Sequence, residues 1–364
     1  MMKDFCDKHN VPYKLCGKLI VEDSSSAESK ERSGKQLSKL FDQGVKNGVH
    51  GLELIKSDSA RILALEPELE RSIASAIWSP ETGIVCAHHY MQALEGLILN
   101  AGCEMVYNCV VQGVRSDPAL SAAPSSACSH RDSAFVLMTS HGDIEVDYVV
   151  NAAGLHAPDL ARSLMPWAIQ SDTTNTDQGA DDLIPCSKYA RGSYWKPDFT
   201  HLLSAKPQFR RLVYPLPEPG LAGLGTHLTL DLDGSIRFGP NVEWIDADAV
   251  PAVEDDARSQ SLYAVQEADE RVHASVRKYF PHDCRLVPDY SGVRPKVEGC
   301  TDFVFLEAAE VLARMSRDDG EEGGSARGAR VNQTHLLGME SPGLTSSLAI
   351  AEEVTARVVR SLSN

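Results

Sequence analysis

The chain has 364 residues, 43% of them hydrophobic and 24% charged; at roughly 150 residues per domain it is long enough for two domains or one large interrupted one, and this composition excludes a wholly disordered or fibrous chain. Thirty-five Lys and Arg against 51 Asp and Glu leave a formal net charge of −16, which argues against a nucleic-acid or anionic-lipid face. The longest apolar stretches, around Leu94–Ile98 and Leu348–Ile350, are far short of the roughly 18 residues of a membrane span.

In chain order, Met2–Lys8 reads as the end of a helix and Gly17–Val21 as a strand, on apolar and β-branched content. Lys30–Lys46 spaces Leu37, Leu40, Phe41 and Val45 as a helical stripe, and His88–Asn100 does the same with Met91, Leu94, Leu97 and Ile98. A strand over Glu104–Tyr107 is expected after Gly102. Phe135–Met138 and Ile144–Val150 flank His141-Gly142-Asp143, predicting a hairpin whose second arm continues into a buried strand. That strand ends in Asn151-Ala152-Ala153-Gly154, and a helix over Ala157–Met165 follows. Strand, small-residue turn, helix is how a nucleotide-binding α/β sheet presents backbone to a ligand, and it is also an ordinary βα turn.

The second half reads mainly as strands, Tyr189–Trp195, Leu212–Tyr214, Gly223–Leu230 and Ser235–Phe238, with an Asp233-Gly234 turn between the last two. One helix over Val265–Tyr279, a strand over Thr334–Gly338, a loop and a helix through Ser361 complete the chain. Three polar tracts, Ser116–Ser133, Gln170–Asp182 and Asp318–Arg330, lack apolar periodicity and read as flexible insertions. The nine cysteines form no C-x-x-C pair and read as reduced thiols of an intracellular protein. Met1–Asn10 has the character of neither a signal nor a transit peptide.

No Walker loop, H-E-x-x-H, G-x-S-x-G or full G-x-G-x-x-G occurs. Among the local constellations, Leu337–Ser347 runs from a strand through a Gly/Pro turn into a hydroxyl-rich helix start, suited to an anion or a carbonyl or to plain capping by Thr345 or Ser346. Ser291-Gly292-Val293-Arg294-Pro295-Lys296 places two cations beside a glycine in an acidic chain; they suit two carboxylates or a surface salt bridge. His227 lies inside an apolar strand, where a histidine is either packed or poised as a base. Tyr189, Tyr194 and Tyr214 are candidates to hydrogen-bond a carboxylate or to fill a core.

Together these stretches resemble the L-2-hydroxyglutarate dehydrogenase family of FAD-dependent oxidoreductases, within the D-amino acid oxidase-like superfamily. The resemblance is carried by Gly17–Val21, Ser79–Val85, Tyr189–Tyr194, Leu212–Pro217, Leu224–Thr229, Phe238–Glu243, Asp289–Lys296 and Gly338–Ala351, with Glu340–Ser347 the most family-specific. It covers nearly the whole chain outside the insertions.

The resemblance implies an α/β fold with a parallel-sheet FAD-binding domain, discontinuous over 1–16, 84–165 and 330–364, and a substrate domain on a mixed or antiparallel sheet over 17–83 and 166–329. It implies oxidation of L-2-hydroxyglutarate to 2-oxoglutarate with electrons passed to an unidentified non-NAD acceptor; a related amino acid or glycerol phosphate oxidoreductase, or a non-catalytic remnant, are the alternatives. His227, Arg294, Lys296, Tyr194 and Tyr214 would be the catalytic set, with the cations on the carboxylates of a small dicarboxylate. Ala152, Ala153, Gly154, Gly292, Arg294, Gly343, Leu344, Thr345 and Ser346 would hold FAD. The expected location is mitochondrial. The family's N-terminal strand, phosphate loop, ribose-binding acid and histidine-bearing segment have no counterpart in these 364 residues, so weak FAD retention is expected of this polypeptide.

Overall fold

A computed structural model describes residues 1–115, 135–168, 183–200, 206–216, 225–246, 250, 261–318 and 332–363. The three polar tracts lie outside these, except Asp318. In chain order the elements are α1 (Met2–His9), β1 (Tyr13–Lys14), β2 (Lys18–Val21), α2 (Ala27–Lys46), β3 (Glu53–Ile55), α3 (Ser59–Leu65), β4 (Ala76–Ser79), β5 (Ile84–Val85), α4 (Ala87–Asn100), β6 (Val111–Arg115), β7 (Phe135–Thr139), β8 (Gly142–Val146), β9 (Val149–Asn151), α5 (Ala157–Leu164), β10 (Ser187–Asp198), β11 (Leu212–Pro215), β12 (His227–Leu230), β13 (Ile236–Gly239), β14 (Glu243–Ile245), α6 (Glu270–Arg277), β15 (Arg285–Val297), β16 (Val304–Glu307), α7 (Ala308–Asp318), β17 (Gln333–Leu337) and α8 (Gly343–Leu362).

Nine strands form one mixed sheet in the order β14-β10-β13-β12-β11-β2-β4-β3, with β15 also paired to β10. Only β11 and β2 run parallel in it, Leu212 opposite Lys18 and Tyr214 opposite Ile20. Side chains alternate between faces along a strand, so Leu19, Val21, Val213, Leu228, Phe238 and Trp195 join one buried cluster with Val272, Val276, Tyr279 and Phe280 from α6 and the turn after it. Two bonds fasten this layer to the sheet: Tyr279 donates its hydroxyl to the Thr226 carbonyl (3.0 Å), and Trp195 donates its indole N–H to the Gln266 carbonyl (3.0 Å). The opposite face carries Lys18, Tyr214, His227 and Tyr194.

A second sheet, β16-β17-β9, pairs β17 parallel to β9 and antiparallel to β16. Every residue of β17 is buried, as expected of a strand covered on both faces. Leu337 and Leu306 pack there with Ala157, Ala161 and Met165 around α5. Residues of β16 and α7 therefore build on this sheet although the sequence groups them with the substrate domain. The Gly154–His156 turn after β9 packs against β10 and β15, where the two sheets meet.

Several expectations are corrected. Residues 104–107 form no strand: Val106 and Tyr107 are exposed, Asn108 is left-handed, and the strand comes later as β6. The Phe135/Ile144 hairpin forms as β7 and β8, but its second arm does not run on, because β9 joins a different sheet. The expected helix over Val265–Tyr279 is α6 alone, started by Asp269, whose carboxylate accepts the Val272 N–H; a capping side chain fixes the start. The stripe of α4 is largely outward, Met91 being 67% exposed, and the residue it buries is Tyr90. The Asp233-Gly234 turn and the helix through Ser361 are as read.

Candidate active site on one face of the large sheet

His227 opens β12 and is 7% exposed. Its Nδ1 lies 3.2 Å from the Gly225 carbonyl. A carbonyl only accepts, so Nδ1 carries the proton and the lone pair is on Nε2. Burial lowers its pKa to about 4, and the charges of Lys18 and Arg294 push in the same direction. The ring is therefore neutral at physiological pH in a single tautomer. It stacks on Tyr214 from the neighbouring strand, with centroids 3.9 Å apart and planes at 19°.

On the far side of β13, Tyr194 stacks on Tyr290 at 4.7 Å. Burial raises the Tyr194 and Tyr214 phenols above their ordinary values, so both remain donors. Arg294 of β15 faces Ala190 across the ladder. Its guanidinium reaches the Ala190 and Asn241 carbonyls only at 3.4 Å, leaving most of its five N–H donors uncommitted. Gly192 makes the seat: a Cβ there would lie 2.7 Å from Arg294 Nη2 and 2.7 Å from Pro240 Cβ.

The ladder thus gathers His227, Tyr214, Tyr194, Gly292 and Arg294 on one face. Lys296, the other cation the sequence assigns to a substrate carboxylate, forms an ion pair with Glu340, in the loop after β17. Lys18, which the sequence did not single out as a site residue, lies on the same face with its Nζ 4.9 Å from the Tyr214 centroid.

Apart from Gly292 and Arg294 of β15, the residues the sequence assigns to a cofactor follow the carboxyl ends of the parallel pair β9 and β17. After β9, Asn151 accepts the Ala153 N–H (3.1 Å) and donates to the Ala157 carbonyl (2.8 Å), bracing the Ala152-Ala153-Gly154 turn. After β17, Gly338 takes φ +68°, a value L side chains rarely adopt. The chain then enters α8 at Gly343 with Pro342 as N-cap and no side-chain cap. Thr345 and Ser346 do not cap it: Thr345 donates to the Pro342 carbonyl (3.0 Å) and Ser346 has its backbone N–H on the same atom. Leu344 and Thr345 are exposed. Gly154, Gly292 and Gly343 each face open space where a Cβ would stand. An uncapped helix start is suited to an anion or carbonyl, and glycine-lined space to a flat ring approaching backbone.

The sequence profile of the FAD dependent oxidoreductase family matches residues 1–357. The chain belongs to the FAD-dependent oxidoreductase family. It is 33% identical over 392 aligned positions to the mitochondrial L-2-hydroxyglutarate dehydrogenase of Arabidopsis thaliana, covering 99% of this chain and 70% of that one. It is 26% identical over 241 positions to the L-2-hydroxyglutarate dehydrogenase of Escherichia coli K12, covering 66% of this chain and 46% of that protein. The chain thus spans about half the length of the bacterial relative. The fold matches FAD-bound L-alpha-glycerophosphate oxidase of Mycoplasma pneumoniae (TM-score 0.64, 18% identity, 97% of this chain and 74% of that one). It also matches glycine oxidase of Geobacillus kaustophilus (TM-score 0.62, 16% identity, 98% and 75%). FAD is the cofactor of this family, and the uncapped helix start and the glycines facing open space fit it.

Proposed function

We propose that this FAD-dependent oxidoreductase oxidises L-2-hydroxyglutarate to 2-oxoglutarate and passes the electrons to an acceptor other than NAD. The observation carrying the reading is His227, a neutral imidazole with a bare Nε2, flanked by a cation free to bind a carboxylate, in a chain whose sequence is similar to dehydrogenases of that substrate. In this proposal the Arg294 fork clamps the carboxylate next to the reacting carbon, which suits its planar bidentate donors. Tyr194 and Tyr214 donate to substrate oxygens, and His227 Nε2 takes the hydroxyl proton. Bound FAD supplies the acceptor for the hydride leaving C2. Ala152, Ala153, Gly154, Gly292, Gly343, Leu344, Thr345, Ser346 and Arg294 would hold it, while the Lys296–Glu340 pair fixes the loop that leads into α8.

A pKa of about 4 makes His227 a weak base in the empty site. A substrate carboxylate on Arg294 cancels one of the charges that depress it, so binding itself raises the proton affinity where it is needed. The mitochondrial location in the names of the plant and animal relatives is extended to this chain as part of the same proposal.

The test is dye reduction by the FAD-loaded protein. L-2-Hydroxyglutarate should reduce the dye without NAD; turnover with glycerol phosphate or an amino acid instead would replace the substrate assignment.

A further inference from the structure

Most cations placed on or beside the large sheet have an acid. Arg191 pairs with Glu243, Arg237 with Asp289 and Asp231, Lys196 with Asp289, Lys188 with Glu298 and Lys296 with Glu340. Lys18 and Arg294 form no ion pair among the described residues. Lys18 is the charged residue of a strand whose Leu19 and Val21 are in the core. It leaves the sheet on the opposite face, beside the Tyr214 ring that stacks on His227. Burial lowers its pKa, and no acid opposes the shift. Removing a cation from water without a counter-charge is unfavourable; the aromatic contact returns only part of that. Lys18 and Arg294 come from strands on either side of β12 in the sheet order, β2 beyond β11 and β15 beyond β13 and β10, and the charges of both reach His227.

We propose that Lys18 binds the substrate carboxylate remote from the reacting carbon, while Arg294 binds the one adjacent to it, so that the C2 hydroxyl is held at His227 between them. The assignment follows side-chain chemistry: a rigid fork where orientation sets the reacting geometry, and a flexible point charge where only distance matters. It rests on the dicarboxylate reading given above. It also makes Lys18 the residue that distinguishes a five-carbon dicarboxylate from a monocarboxylate of the same length.

The test compares Lys18→Met and Lys18→Arg in the FAD-loaded protein with two substrates, L-2-hydroxyglutarate and L-2-hydroxypentanoate, and measures 2-oxoglutarate binding by calorimetry with and without FAD. For Lys18→Met, KM for the dicarboxylate should rise by at least about tenfold, the loss of one charge-assisted hydrogen bond. kcat should change less, kcat/KM for the monocarboxylate should hold, and 2-oxoglutarate binding should weaken by the same factor. Lys18→Arg should recover most of the loss. Because the variant removes an unpaired half-buried charge, its thermal midpoint should not fall. Equal loss on both substrates would show that Lys18 only packs Tyr214, and no loss on either would remove it from the site; each overturns the proposal and leaves the substrate reading intact. A wild-type protein that neither oxidises L-2-hydroxyglutarate nor binds 2-oxoglutarate overturns the substrate reading and this inference together. Should Lys18→Met not fold, Lys18→Gln carries the same comparison.

Discussion

Replacing His227 by Gln probes both the fold and the chemistry. In the unfolded chain a histidine titrates near 6.5, whereas burial holds His227 to about 4. The folded state therefore binds fewer protons than the unfolded state between those values, and the stability held above pH 6.5 is lost as pH falls towards 4. The gap is worth about 3 kcal/mol at about 1.36 kcal/mol per pH unit. His227 is 7% exposed, so little of this is screened by solvent. Urea unfolding from pH 7.5 to 4 should show wild type losing about 3 kcal/mol more than His227→Gln over that window, on top of the acid sensitivity both share. His335 supplies a control away from the substrate face: it is fully buried in β17, faces Asn151 through Nδ1 (3.1 Å), and is also held to about 4 by burial. His335→Gln should flatten the acid limb similarly. The two variants should then part in turnover, with His227→Gln losing kcat and His335→Gln retaining it. Parallel stability profiles for wild type and His227→Gln would refute the buried, neutral imidazole and with it the argument for a bare Nε2.

Three further outcomes are expected. Gly192→Ala puts a methyl 2.7 Å from Arg294 Nη2; the guanidinium must swing off its seat, raising KM by roughly tenfold with about 1–3 kcal/mol of destabilisation from overpacking, and unchanged KM in steady-state assays would argue against Arg294 as the clamp. Arg294→Lys should raise KM by one to two orders of magnitude, about 1.5–3 kcal/mol for a lost charge-assisted bond, with the melting temperature nearly unchanged. A double-mutant cycle of Lys296→Met and Glu340→Gln should give a coupling energy of about 0.5–3 kcal/mol in urea unfolding, whereas zero coupling would return Lys296 to the pool of free cations.

What the sequence disclosed followed from locality. The βα turn at Asn151–Gly154, the Asp-Gly hairpin and the last helix depend on neighbours in the chain, and they were legible. β15 was not, although it is the long partner of β10: it carries Pro288, Pro295 and several charges, and what makes it a strand is Ser187–Asp198, about a hundred residues earlier. The same limit governs the site. His227, Tyr194, Tyr214, Arg294 and Lys296 were picked out as candidates by residue type within short motifs, but the pairing of Lys296 with Glu340, 44 residues away, was not legible. Lys18 drew no notice within the Gly17–Val21 strand, and only the parallel pairing of β2 with β11 brings it beside Tyr214.

The isolation of two cations among neutralised ones bears on how an anionic substrate arrives. With a formal net charge of −16, the long-range field of the molecule repels a dianion, and the paired Lys and Arg side chains of the sheet cast almost no field of their own. Lys18 and Arg294 attract only within about a Debye length, roughly 10 Å at 0.1 M salt. For the dicarboxylate proposed above, capture would therefore be local rather than steered: it would diffuse against the global potential and be held once within reach of the two charges, so modest salt, by screening the repulsion over distance, would favour encounter.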